Sequence, residues 1–231
     1  MSTWISETAV ARLRMTVRAG LLLVCLPLAA CLDVAGEAGP DNALRAVAFY
    51  DGKVIVTGPR GYCIDRSSVK RGPAGRFALL ASCESLTDQP GISVEPAVLT
   101  VAVLPHAPSA EQPSSQAMAE ALGRASVRDT EDGDGIALVH ISQGGDTVLP
   151  GGDPSYWRAS MVINGHLVGL AAYGPRDGAI AGTGGRDLLR DLAETLRAAS
   201  PAPDSVSRDV TEIDIQGGTG GLFRGLFPVS N

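Results

Sequence analysis

The chain has 231 residues and a net charge of −6, with 45% apolar residues but only 4% aromatic ones. An acidic chain without a dense Lys/Arg cluster excludes nucleic-acid binding by phosphate neutralisation. The scarcity of aromatics predicts a core of small aliphatic side chains and argues against a sugar-stacking surface.

The N-terminal segment carries Arg12, Arg14 and Arg18, then a mostly apolar run from Ala19 to Leu28, then Ala29, Ala30 and Cys31. A basic flank, an apolar core and small residues before a cleavage point are the physical parts of a secretory leader. The apolar run is about ten residues, and a spanning helix needs about twenty. The segment Leu28-Ala29-Ala30-Cys31 resembles the lipobox of bacterial lipoproteins. That resemblance implies cleavage after residue 30, a diacylglycerol on the Cys31 sulfur, and acylation of the new amino terminus. Two or three chains hold a protein on a membrane stably, where one holds it marginally. Leu32 rather than Asp follows Cys31, which in such lipoproteins favours the outer membrane. Met15 offers a second start, because residues 15–30 alone make a short leader with Arg18. An ordinary secreted protein is the simpler alternative. Loss of the leader removes three arginines and Glu7, and so carries the net charge from −6 to −8.

On this reading Cys25 leaves with the leader and Cys31 bears lipid, so Cys63 and Cys83 remain as an even number in an oxidising compartment. A disulfide between them is expected. Two buried free thiols, or a catalytic thiol, are the alternatives.

Residues 31–45 read as a tether, 46–199 as one domain and 200–231 as a Gly-rich tail. Ala46 to Thr57 predicts a hairpin turning at Asp51-Gly52. Gly58-Pro59-Arg60-Gly61 is a second turn, and Tyr62 to Ile64 a short strand. Residues 66–75 are polar and predict a loop. Within and beside them Arg66, Lys70, Arg71 and Arg76 form the densest basic spot, expected to be a solvated hairpin face. Phe77 to Cys83 and Ala97 to Leu104 predict strands, the second central and covered on both faces. A helix capped by Ser114 or Ser115 should run through Ala125. Ile136 to Ile141 is a strand, and 142–155 a glycine-rich loop. Trp157–Ile163 and His166–Ala172 flank Asn164-Gly165, the strongest hairpin signal in the chain. Leu188, Leu189, Leu192 and Leu196 share a helical face within Arg186–Ala199. Residues 210–215 predict an added strand. Beyond them the Gly-Leu-Phe repeat of 221–227, with Phe223 and Phe227, suits docking on the domain, lipid contact or a partner protein.

This order predicts an α+β fold, a mainly antiparallel sheet with two packing helices. The closing hairpin and helix resemble PsbP-type domains at the level of fold. Gly61-Tyr62-Cys63-Ile64-Asp65, followed by an apolar strand ending in Cys83, resembles a group of proteobacterial envelope lipoproteins over residues 46–104 and, more weakly, 156–199. That resemblance supports the disulfide and fold and brings no activity with it.

No catalytic, metal or cofactor residues emerge. His106, His140 and His166 are scattered, without metal-ligand spacing. His140 is expected to face out of a strand and His166 to be an exposed turn residue. Asp129 to Gly135 is acidic, but a calcium loop would put Thr130 at position one and Ile141 at position twelve. A solvated acidic turn fits better. Gly-x-Ser-x-Gly and the phosphate loop are absent from the sequence. Gly182 to Gly185 precedes a helix, but Asp187 opposes an anion there. Tyr156-Trp157 is expected to pack at a strand start. The expected function is a membrane-anchored binding module for a small ligand or an envelope protein, with a periplasmic hydrolase as the alternative.

Overall fold

The structure is a computed structural model and describes residues 42–202. The leader, Cys31, most of the tether and the tail from residue 203 lie outside the described residues. The fold is α+β. One large, mostly antiparallel sheet carries helices on both faces, and a separate two-stranded hairpin packs against one of them.

Strand β1 (Ala43–Leu44) pairs with β4 (Tyr62–Asp65), so the last residues of the expected tether belong to the sheet. Between them β2 (Ala46–Phe49) and β3 (Val54–Thr57) form the first predicted hairpin. Val47, Phe49, Val54 and Val56 alternate inward and join the main core. Phe49 pairs with Val54, so the loop 50–53 is centred on Asp51-Gly52 as expected, with Tyr50, Asp51 and Gly52 all left-handed at φ 50°, 56° and 85°. Tertiary contacts hold Tyr50 there: its ring stacks on His166 at 4.2 Å and its hydroxyl donates to the Val103 carbonyl at 3.3 Å.

Residues 66–75 are more ordered than a loop. Asp65 caps a short 3-10 turn over Arg66–Ser68 by accepting from the Ser67 N–H at 2.9 Å. The Ser68 hydroxyl accepts from the Leu79 N–H at 2.8 Å. An edge strand β5 (Lys70–Gly72) then pairs with β6 (Gly75–Ser82). The expected basic hairpin face is here, with Lys70 and Arg71 exposed. Arg71 packs over Phe49 and Arg76 over Tyr50. Ser82 ends β6 by capping α1 (Cys83–Thr87), so Cys83 opens a short helix instead of closing a strand.

β7 (Val98–Val103) is central in the sheet, as expected, but its coverage alternates. Leu99, Val101 and Val103 are fully buried, while Val98, Thr100 and Ala102 are half-buried. Both faces are covered as expected, one fully and the other in part, where Val98 packs against the Tyr156–Tyr173 cluster and Ala102 against Leu104 and Leu167. An apolar run without period-2 alternation marks a central strand but not what lies over each face.

Helix α2 (Ser115–Leu122) is capped by the Ser114 hydroxyl, which accepts from the Ala117 N–H at 3.1 Å. It stops at Gly123, whose φ of 90° leaves the helical region, so the helix ends short of Ala125. The acidic stretch is not one turn. Val127–Gly133 is strand β8, turning at Asp134-Gly135 into β9 (Ile136–Ile141). Its acids are engaged elsewhere. Asp132 accepts from the Ser115 N–H and hydroxyl at 2.8 and 2.7 Å, and Glu131 and Asp134 pair with Arg190 at 2.5 and 3.3 Å. A short helix α3 (Gly145–Val148) lies within the glycine-rich segment.

β10 (Tyr156–Ile163) and β11 (His166–Tyr173) pair across the predicted Asn164-Gly165 turn, where both residues have positive φ. Helix α4 (Thr183–Ala199) begins three residues before the predicted start. The Trp157 indole donates to the Gly182 carbonyl at 2.7 Å. A Cβ on Gly185 would sit 2.8 Å from the Trp157 ring, so the glycines admit a close helix–sheet approach that propensity does not favour. Leu189, Leu192, Ala193 and Leu196 are buried beneath it, and Leu188 is half-buried at the margin.

In the sheet the strands run in the order β1-β4-β6-β7-β11-β10-β9-β8, with β5 on β6. One face lies under α4 and the β2–β3 hairpin and holds the main core. The other packs Met118 of α2 on Ala137, Val139 and Ile141 of β9 and on Tyr156 and Tyr173. The Ser200 hydroxyl, just past α4, accepts from the Ile55 N–H at 3.1 Å, and Asn164 donates to both the Lys53 and Pro201 carbonyls at 2.8 Å. Helix end, hairpin loop and β10–β11 turn are thereby tied together.

Candidate functional site

Because side chains alternate along a strand, Tyr156, Arg158 and Ser160 leave β10 on the face opposite Trp157, Ala159 and Met161. The first set faces α2 and α3. There a groove of about 420 Å³ opens between the two helices. Tyr156 and Arg158 of β10 and Ile141 of β9 line its base, Ala121 and Leu122 of α2 one wall, and Thr147 and Val148 of α3 the other. Ser126, Gln143 and Gly144 complete the rim. The Ser126 hydroxyl accepts from Gln143 Nε2 at 2.8 Å, which fixes that side of the opening. Val148 is one of two large apolar residues left well exposed among the described residues, at 49%.

Among the described residues Arg158 is the only charged one lining the groove, and it is 6% exposed. Its guanidinium lies 5.2 Å from the centre of the Tyr156 ring, and its charge acts on both the Tyr156 and Tyr173 phenols. Those two rings stack at 4.9 Å, directly opposite one another across β10 and β11. Burial pushes both phenols above their usual range, while the Arg158 charge pulls part of the way back. A buried cation positioned by two packed phenols is thus presented at the base of a half-apolar opening.

Two other depressions are less built. One of about 560 Å³ beside the disulfide is lined entirely by residues within 82–96, a single local stretch. Another of about 480 Å³ gathers Arg128, Asp153 and Arg176. Burial pushes the Asp153 carboxyl up, but the N–H groups of Asp177 and Ser155 donating to it outweigh that and leave it below the usual range. Both its oxygens therefore serve to hold the surrounding loop.

Cys63 and Cys83 form a disulfide, with Cα atoms 4.8 Å apart. The three histidines do not converge on the groove. His140 stacks flat on Trp157 at 4.5 Å, with Nε2 against the Ala181 carbonyl at 2.8 Å. His166 is buried at 1% exposure, not an exposed turn residue. It is covered by Tyr50 and by His106, which packs edge-on at 5.5 Å and also lies over Gly165. Hairpin signals locate the turn but not the loops folded over it. Among the described residues no three His, Cys, Asp or Glu side chains gather to hold a metal ion. Trp157 packs under α4 as expected of the Tyr156-Trp157 pair, whereas Tyr156 turns to the groove. Gly182 to Gly185 enters α4 itself, and Asp187 pairs with Arg186 at 3.0 Å.

Burial holds both His140 and His166 below their ordinary value of 6.5. His166 presents Nδ1 to the Leu104 carbonyl at 2.8 Å, while its buried Nε2 has no hydrogen-bond partner among the described residues. As pH falls through about 6.5 the unfolded chain takes up these protons before the folded one does, so stability is full above that pH and declines below it. The denaturant midpoint should be lower at about pH 5 than at about pH 7.5, and His166→Gln should reduce that difference; a midpoint independent of pH would contradict this.

Sequence reasoning passed over Arg158. The available signal was a lone arginine inside an otherwise apolar or small strand next to the strongest hairpin turn. No protein-family model matches this chain, and neither a curated protein nor a solved structure matches it.

Proposed function

We propose that this chain is a lipid-anchored lipoprotein of the bacterial envelope that faces the periplasm and acts as a non-enzymatic binding module, with the α2–α3 groove as its ligand site. The groove carries the reading. It combines a buried cation, stacked phenols and apolar walls, the mix that orients a small ligand in a preformed site. None of the three histidines lines it, and its Ser126 hydroxyl is engaged with Gln143. The Leu28-Ala29-Ala30-Cys31 lipobox supports the anchor, which places the domain against the membrane and within reach of an envelope partner.

One preparation tests both halves. The wild-type chain should incorporate labelled palmitate and Cys31→Ser should not; persistent labelling defeats the anchor. In native mass spectrometry of chain recovered from envelopes, a bound small molecule should be lost on Val148→Arg, which fills the exposed rim. An adduct indifferent to that change defeats the groove.

A further inference from the structure

Resting on the groove as ligand site, the geometry points to an organic carboxylate with an apolar body as the ligand class. A guanidinium presents N–H donors in a planar fork that matches the two oxygens of a carboxylate. Here Arg158 is part of the groove lining, buried and packed over the Tyr156 ring at 5.2 Å, which holds the fork in place. Alignment before binding reduces the ordering cost of binding. Burial of Arg158 at 6% exposure strengthens its attraction for an anion relative to a solvated arginine.

Among the described residues the lining holds no acidic side chain to repel a carboxylate. The walls decide what lies behind the charged head. Leu122, Ile141 and Val148 line the opening with hydrocarbon, which favours a ligand with an apolar body over inorganic phosphate or sulfate. A volume of about 420 Å³ lies toward the lower end of the range for small-molecule sites. The carboxylate sits at Arg158, the apolar body runs between α2 and α3, and the polar tip of Gln143 stays at the rim.

Sodium octanoate, 1-octanol and inorganic phosphate, titrated separately into the purified full-length chain and followed by nuclear magnetic resonance and calorimetry, test this. Octanoate should bind saturably, shift the signals of Ile141, Thr147 and Val148, and bind at least tenfold more tightly than octanol or phosphate. Val148→Asp, at an exposed position, should leave the fold intact and weaken octanoate at least tenfold while affecting octanol less. Arg158→Lys keeps the charge but loses the fork and should weaken octanoate as well. Equal affinity for octanol overturns the carboxylate and leaves a binding groove standing. Equal affinity for phosphate overturns it in favour of a general anion site. Silence toward all three probes overturns the carboxylate and the groove together.

Discussion

Leu192→Ala is expected to destabilise the domain by about 3 kcal/mol or more, within the range of about 2–5 kcal/mol for truncating a buried leucine. Leu192 is completely buried on α4 among the main-core residues of the sheet. The helix is the principal cover for β9, β10 and β11 on that face, so the cavity opens where the layers meet. Collapse is restrained because Trp157 holds one end of the helix and Ser200 the other. At about 2–4 °C per kcal/mol for a domain of this size, the melting temperature should fall by about 10 °C. Leu188→Ala, at the half-buried margin, should cost clearly less, and the pair of variants distinguishes packing from helix propensity, which is the same for both changes. Equal losses in thermal or urea unfolding would show that α4 is not seated as described.

Removing the disulfide is the second large perturbation. Cys63 lies in β4 and Cys83 opens α1, 20 residues apart. In the chain-entropy account, closing a loop of that size restricts the unfolded chain by about 3 kcal/mol. The double substitution Cys63→Ser and Cys83→Ser should therefore lower stability by about that amount and make unfolding insensitive to reductant. The bond also joins β4, which carries only β1 outside it, to the β6–α1 junction. Hydrogen exchange should thus accelerate most in β1 and β4, and little in β10 and β11. Unreduced protein should resist thiol labelling at both positions; rapid labelling, or unchanged stability after substitution, would count against the bond.

The sequence was most readable where one local rule governs one element. Asn164-Gly165 announced the β10–β11 hairpin because a tight turn needs two residues tolerant of positive φ. Leucine spacing announced α4, and Ser114 announced the start of α2. Cysteine counting pointed to Cys63 and Cys83 before any geometry was available. Edge strands were hidden by composition. β8 displays Arg128 and Asp129 toward solvent and contains Glu131 and Asp132, and β5 contains Lys70 and Arg71, so neither shows apolar alternation. Their pairing comes from β9 and β6, which sequence periodicity does not register. The left-handed backbone of Tyr50 was hidden in the same way, because a distant histidine and carbonyl hold its ring.

The groove was least readable for the same reason. Leu122, Val148 and Arg158 come from α2, α3 and β10 and meet only after the sheet has formed. Arg158 on its own looks like one of many charged residues. What sets it apart is burial beside Tyr156 and Tyr173, a property of strand register rather than of residue type.

The Cys63–Cys83 bond also fixes how far the chain can be drawn out. A pull applied at the two ends extends every residue except those enclosed by the covalent loop. At roughly 3.3–3.6 Å per extended residue, the 20-residue separation of the bridged positions withholds about 70 Å of contour. Tension entering ahead of Asn42 meets first the two β1–β4 rungs and the Arg66 N–H donated to the Asn42 carbonyl. Once these yield, the load passes along the backbone into the β2–β3 hairpin, and the looped segment stays unextended throughout. Reduction releases that hidden length, so the domain's extensibility depends on the redox state of its surroundings.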